Sequence, residues 1–176
     1  MPRYVALLRA VNVGGSTRLP MADLRAICAE LGFTGVETYI ASGNAVFDAE
    51  AAPSRVRAGL AARLLAYCGK PVGVTVRTAP EMAAILAANP YGRAEPRFTY
   101  VIFLDRRPPR DCLDRVIGRT NEEMHLGERE IFVHYPSGMG RSKLRIPAAD
   151  AGTARNMNTV ARLAEMASQS AARGRP

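Results

Sequence analysis

The sequence contains no tryptophan, and aromatic residues make up only 6% of its 176 positions. Few rings are therefore available to stack on nucleic-acid bases. No apolar run approaches the roughly 18 residues that a membrane-spanning helix needs, so we expect no membrane association. The apolar start of the chain is interrupted at Arg9, which favours a first buried strand over a signal peptide.

Cysteine and histidine are also scarce. Cys28, Cys68 and Cys112 are odd in number, far apart and outside any CxxC pair, which predicts free thiols and a reducing cytoplasm. His125 and His134 fall on a predicted hairpin without cysteine or carboxylate at ligand spacing. We therefore predict no metal site and no cofactor.

Charge of one sign is plentiful, since the formal net charge is +8. An excess of cations attracts polyanions at long range. The alternative is that arginine simply serves as the surface cation throughout, since the chain has only two lysines. Between positions 137 and 162 the only acidic residue is Asp150, and the basic residues there are Arg141, Lys143, Arg145, Arg155 and Arg162.

The first half predicts a β-α-β-β-α-β order, which is the ferredoxin-like pattern of an α+β protein. Both helices cover one sheet face, so the other face is solvated, paired with the second half or occupied by a ligand. The predicted elements are a strand at 3–9, a helix opened by Pro20 and ended by Gly32, strands at 36–40 and 45–47, a helix from Pro53 and a strand at 71–77.

The second half predicts a less regular α+β arrangement. We expect a subdomain at 1–78, a second, smaller one at 79–168 packed against it, and a flexible tail at 169–176. Its predicted elements are a helix capped by Thr78, a strand at 98–104, a helix at 108–117, hairpin strands at 124–126 and 131–135, a glycine loop at 136–141 and a helix at 156–166.

Several segments together resemble a known bacterial family. They are YVALLR at 4–9, NVGG at 12–15, LPMADLR at 19–25, SGN at 42–44, GRSKL at 140–144 and TARNMNTV at 153–160. This combination is similar to the family catalogued as domain of unknown function 1697. The resemblance implies a compact bacterial α+β protein and implies no reaction. Met157 stands where the family usually has tryptophan, which removes an aromatic ring from that segment.

The first candidate site is the loop that follows the first strand. Its ligand-binding candidates are Arg9, Asn12, Gly14, Gly15 and Arg18. A glycine pair before a helix can turn backbone N–H groups toward an anion, and arginines can neutralise it. The alternative is a plain loop whose glycines only supply positive φ.

The second candidate is the turn at 42–44, where Ser42 and Asn44 could present polar groups to a ligand. Ser-Gly-Asn is also ordinary turn chemistry, and that structural interpretation is the favoured one.

The third candidate is favoured for function, because cations and amides concentrate beside a glycine loop. The alternative is that Thr153 caps the last helix and the asparagines satisfy loop carbonyls. Its residues are Arg141, Ser142, Lys143, Arg155, Asn156 and Asn158.

Two functions from different classes stay open, beside a third alternative in which the protein is structural and dimerises through exposed sheet edges. One is a module that binds an anionic ligand, either nucleic acid or a phosphorylated small molecule, at a basic glycine-loop cleft. The other is a small-molecule enzyme with a pocket between the two halves. The sequence does not identify a ligand, a reaction or an oligomeric state.

Overall fold

The computed structural model describes residues 1–169 and confirms the α+β class. These residues form two four-stranded antiparallel sheets and four α-helices. The predicted flexible tail at 169–176 lies outside the described residues apart from Gln169.

The described chain divides into two compact units. The first unit contains Met1–Ala83 together with residues 163–169, and the second contains Ala84–Arg162. Two helices continue across this division. They are α3 (Ala79–Ala87), which follows the first sheet, and α4 (Met157–Ser168), which follows the second.

The first unit has the predicted β-α-β-β-α-β order. Its sheet has the strand order β2-β3-β1-β4, and every neighbouring pair is antiparallel. The elements are β1 (Arg3–Leu8), α1 (Met21–Glu30), β2 (Thr34–Thr38), β3 (Asn44–Asp48), α2 (Pro53–Cys68) and β4 (Val74–Thr78).

Apolar spacing explains why both helices pack on this sheet. Leu24 and Ile27 of α1 and Leu60 of α2 are buried, as i, i+3 and i+4 spacing predicts for one helix face. Phe33 stacks on Phe47 of β3 with ring centroids 4.5 Å apart. Each fully buried side chain of this size contributes about 1.5–3 kcal/mol, so these contacts fix the layer.

The opposite face of the first sheet is not open to solvent. Val5, Leu7 and Val46 have no measurable exposure, and Thr75 and Arg77 are also buried. The alternative of a solvated face is therefore not met at these alternate positions of the first sheet.

The second unit has the strand order β6-β7-β5-β8, again antiparallel throughout. Its strands are β5 (Thr99–Phe103), β6 (Glu123–Leu126), β7 (Glu130–His134) and β8 (Thr153–Asn156). The hairpin of β6 and β7 was predicted. The four-residue strand β8 was missed, because its inward positions are Thr153 and Arg155 rather than apolar residues.

The predicted helix at 108–117 is wrong. Only one 3-10 turn forms there, at Cys112–Arg115. Val116 leaves the helical region with φ −73° and ψ 152°. Ile117 then pairs with Arg145 through two backbone hydrogen bonds of 2.9 and 2.8 Å. Tertiary pairing thus overrides the local helical spacing.

The two sheets have the same topology, since their strand orders correspond and so do their strand registers. Val5 of β1 lies opposite Arg77 of β4, and Val101 of β5 lies opposite Arg155 of β8. Both arginines are buried, and each donates from Nη1 to the carbonyl of the preceding residue, at 3.1 and 2.9 Å. The second sheet therefore repeats the first, with short turns where α1 and α2 would be.

The helix caps extend this correspondence. Thr78 at the end of β4 accepts a hydrogen bond from Glu81 N through its hydroxyl at 3.3 Å. Asn156 at the end of β8 accepts one from Thr159 N at 3.0 Å. The cap of α4 is thus Asn156, and the expectation that Thr153 caps the last helix is wrong because Thr153 lies within β8.

Gly43 is a position where the fold requires glycine. Its φ is 90°, and a Cβ there would lie 2.5 Å from Val11 Cγ2 and 2.9 Å from Leu8 Cβ. We expect Gly43→Ala to destabilise the protein by about 1–3 kcal/mol through strain and overpacking. Gly92→Ala is the control, since nothing lies within 4 Å of a Cβ at that position. Urea unfolding measures both, and equal stabilities for the two variants would contradict the account.

Candidate functional site

Asn12, in the first candidate loop, uses its side-chain amide within the protein. Its Nδ2 donates to the carbonyl oxygens of Leu19 at 2.7 Å and Ala41 at 2.8 Å. Its Oδ1 accepts from Leu19 N at 2.8 Å. The two hydrogen bonds with Leu19 close the loop after β1, and the one to Ala41 ties that loop to the turn between β2 and β3.

The other candidate residues of this loop are exposed. Gly14 and Gly15 have φ of 49° and 76°, and a Cβ on either would meet nothing within 4 Å. Arg9 and Arg18 are exposed, and the backbone N–H of Arg9 donates to Gly73 O at 2.9 Å. Positive φ explains the glycines, and anion binding at this loop stays a prediction.

Strained backbone occurs both in the loop after β1 and in the turn between β2 and β3. Ala10, Asn12 and Ile40 are non-glycine residues with φ between 51° and 56°. This region is costly for a residue with a side chain, most of all for a β-branched one such as Ile40. The Asn12 hydrogen bonds join the two strained segments and supply the contacts that hold them.

The second candidate, the turn at 42–44, forms as predicted. Asn44 is fully buried and begins β3, while its Nδ2 donates to Tyr39 O at 2.9 Å and Ser42 Oγ at 3.1 Å. Because these bonds lie within the turn, the geometry of Ser42 and Asn44 is accounted for by the hairpin itself.

Replacing Asn12 measures how much its side-chain amide contributes to the free energy of unfolding. Asn12→Gly keeps the left-handed backbone accessible but removes all three hydrogen bonds, so we expect a loss of about 1–3 kcal/mol. Chemical unfolding measures the change. A variant as stable as the wild type would show that the amide does not hold the two loops.

The third candidate loop is braced by an earlier segment of the same unit. We call residues 137–143 the basic loop and residues 117–122 the brace. Asn121 Nδ2 donates to Ser137 Oγ at 3.0 Å, and Ser142 Oγ donates to Glu122 Oε1. A Cβ on Gly118 would lie 2.3 Å from Lys143 O, so the two backbones approach closely where glycine allows it. The loop is thus attached to the brace at both of its ends.

The carboxylate of Glu122 is the centre of this attachment. The residue is only 2% exposed, although most glutamates lie at the surface. Its Oε2 accepts from Thr120 N at 2.7 Å and Thr120 Oγ1 at 3.3 Å, while Oε1 accepts from Ser142. The Ser142 hydrogen bond, followed by that from Thr120, lowers the pKa of Glu122 to about 2. The carboxylate is therefore ionised at neutral pH.

The brace and the basic loop carry three exposed cations, which we call the basic patch: Arg119, Arg141 and Lys143. Within residues 1–169, the side chains of Arg141 and Lys143 form no salt bridge or hydrogen bond. Arg119 Nε donates to the backbone oxygen of Glu122 at 2.9 Å. Arg145, by contrast, is paired with Asp150 at 2.7 Å. The patch is thus available to an external anion.

The remaining predicted residues of this candidate have other surroundings. Arg155 is 8% exposed, and burial lowers its pKa to about 10. It therefore stays protonated at neutral pH. Asn156 caps α4, and Asn158 is exposed in its first turn. The loop residues thus form one set, and the residues of β8 and α4 belong to different structural contexts.

Sequence reasoning missed Arg119 and Glu122. Glu122 stands beside Glu123, and the pair gave no sign of a perturbed pKa. The lowered value arises from Ser142, which lies 20 positions away. Neither spacing nor composition signals such a contact.

A groove between α1 and α2 is lined by none of the predicted site residues. Its volume is about 330 Å³. Hydrogen bonds from Tyr67 to Asp23 and from Arg63 to Glu30 cross it. These bridges satisfy the polar groups of the groove internally.

Within residues 1–169, no group of three or more His, Cys, Asp or Glu side chains is placed to hold a metal ion. None of the helices in that range combines the length and apolarity needed to cross a membrane.

The low pKa of Glu122 predicts how acid acts on the brace. A folded-state pKa depressed from 4.5 to about 2 stabilises the fold above pH 4.5, and this contribution is lost as pH falls toward 2. Ser142→Ala removes the main cause. We expect the stability difference between wild type and Ser142→Ala, measured by urea unfolding, to be largest above pH 4.5 and to shrink toward pH 2. A difference independent of pH would contradict this origin.

Comparison with known proteins adds a family and a fold. The family model described as "Protein of unknown function (DUF1697)" matches residues 1–132, so the segments at 140–144 and 153–160 lie beyond the match. None of the curated protein sequences matches this chain. The solved structure of the conserved bacterial protein SP0830 from Streptococcus pneumoniae is similar, with a TM-score of 0.78 and 24% identity. The alignment covers 94% of this chain and 98% of that one, and at this identity it bears on the fold alone.

Proposed function

We propose that this chain, which belongs to the family of proteins of unknown function DUF1697, binds single-stranded nucleic acid through the basic patch. The single observation that supports this function is the presentation of Arg119, Arg141 and Lys143 on a backbone fixed by Glu122. Backbone already held in place does not have to be ordered when the ligand binds, which favours binding.

Exposure favours a polymer over a small phosphorylated molecule. An exposed ion pair is worth about 0–1 kcal/mol, because water and salt screen it. One small anion at such a patch is therefore held weakly. A strand carries a phosphate at every nucleotide, so several contacts act together and release condensed counterions.

The scarcity of aromatic residues shapes the expected binding. Strong binding of single strands usually combines a positive surface with rings on which bases stack. Phe98, beside the basic loop, has Arg97 over its ring at 4.6 Å and Gly138 against it. Contacts to phosphate consequently dominate, and we expect weak sequence preference with strong dependence on salt.

The test is fluorescence anisotropy with a labelled single-stranded oligonucleotide of mixed sequence, over a series of salt concentrations. The double variant Arg141→Ala/Lys143→Ala removes two phosphate contacts. We expect it to bind at least about tenfold more weakly, with the logarithmic salt slope reduced by about 1.4.

The matched control is Arg55→Ala/Lys70→Ala, which removes one arginine and one lysine, both exposed, from the first unit. It changes net charge equally, so we expect it to retain most of the affinity. Absence of wild-type binding at low salt would overturn the proposal. Equal losses in the two double variants would also overturn it, because they would show that net charge alone attracts the strand.

A further inference from the structure

We infer that Glu122 is the positioning residue of the basic patch, an anionic side chain that binding of an anion requires. This inference rests on the proposed function. The Glu122 carboxylate is negative, as is the nucleic acid that the protein is proposed to bind. Loss of its hydrogen bonds would therefore lower the affinity for the strand, whereas loss of its charge alone would raise that affinity.

Glu122 is linked to all three cations, to Arg119 through its backbone oxygen and to Arg141 and Lys143 through Ser142. Its backbone oxygen accepts from Arg119 Nε at 2.9 Å. Its carboxylate accepts from Ser142, and Arg141 and Lys143 are the chain neighbours of Ser142. One buried residue thus fixes the guanidinium of Arg119 directly and the backbone that carries the other two cations.

Ser142 connects Glu122 to the backbone of the basic loop. Its Oγ donates to Glu122 and accepts from Leu144 N at 3.1 Å. Through Ser142, the carboxylate therefore controls the backbone from 142 to 144, on both sides of Lys143. In Glu122→Gln the remaining oxygen can still accept from Thr120 N, but the amide nitrogen then faces Ser142. The serine hydroxyl must accept from this nitrogen instead of donating to a carboxylate, and this neutral hydrogen bond is weaker than the charge-assisted one that it replaces.

Charge alone makes the opposite prediction. A carboxylate behind a basic patch reduces the positive potential that a phosphate meets, so neutralising it would strengthen binding. If Glu122 merely happened to lie near the patch, its removal would raise the affinity. If it positions the patch, its removal lowers the affinity despite the more favourable charge.

The chain offers a matched control in the next residue. Glu123 is exposed on β6, and Glu123→Gln removes the same charge without touching the brace. We compare Glu122→Gln with Glu123→Gln in the anisotropy assay. We expect Glu122→Gln to weaken binding by about tenfold, and Glu123→Gln to leave it unchanged or tighten it slightly.

Two further readouts separate positioning from general destabilisation. The salt slope should fall in magnitude for Glu122→Gln, because fewer cations engage phosphate at once. Amide exchange at 137–144 should speed up while exchange in the sheet of the first unit stays unchanged. If Glu122→Gln folds poorly, Ser142→Ala replaces it, since it breaks the same attachment and leaves the net charge as it was.

The outcomes are distinguishable. Glu122→Gln binding as well as or better than wild type, with an unchanged slope, would overturn the role of Glu122 while the proposed function stands. If the wild type binds no oligonucleotide at low salt, the proposed function fails and this inference fails with it. Equal weakening by Glu122→Gln and Glu123→Gln would also overturn it, because position would then not matter.

Discussion

The hydrogen bonds of one buried carboxylate hold together the part of the second unit that we assign to function. Glu122 accepts from Thr120 and Ser142, and these bonds keep it ionised. A buried charge persists only when its hydrogen bonds are made. The brace and the basic loop must therefore stay together, and the exposed cations lie on backbone that is held by a part-buried hydrogen bond.

The two sheets share one topology but differ in the segments that connect their strands. In the first unit, α1 and α2 cover the sheet, and the loops at the end of β1 are tied by Asn12. In the second, short turns replace those helices while the strand order and the buried arginine of the last strand are kept. Because the second unit has no α-helices at these two places, the chain there forms the brace and the basic loop instead.

The sequence predicted the elements that local chemistry determines. Apolar spacing and Pro53 predicted α2, and the alternating segment at 71–77 predicted β4, so these elements are confirmed. Two elements depend on distant contacts and were not predictable. Ile117 leaves a helical pattern to pair with Arg145, and β8 buries Arg155 where a strand pattern would show an apolar residue. The sequence singled out the basic loop as a candidate, but Glu122, which holds that loop through Ser142, lies 20 positions before Ser142.

The most direct test of the central claim maps where a single strand touches the protein. Adding an unlabelled oligonucleotide to ¹⁵N-labelled protein and following backbone amide shifts reports this at every assigned position. The account predicts that the largest changes fall on 117–122 and 137–144, in saturable binding that added salt reverses. Changes confined to the loops at 9–19 and 39–43, or no changes at low salt, would contradict it.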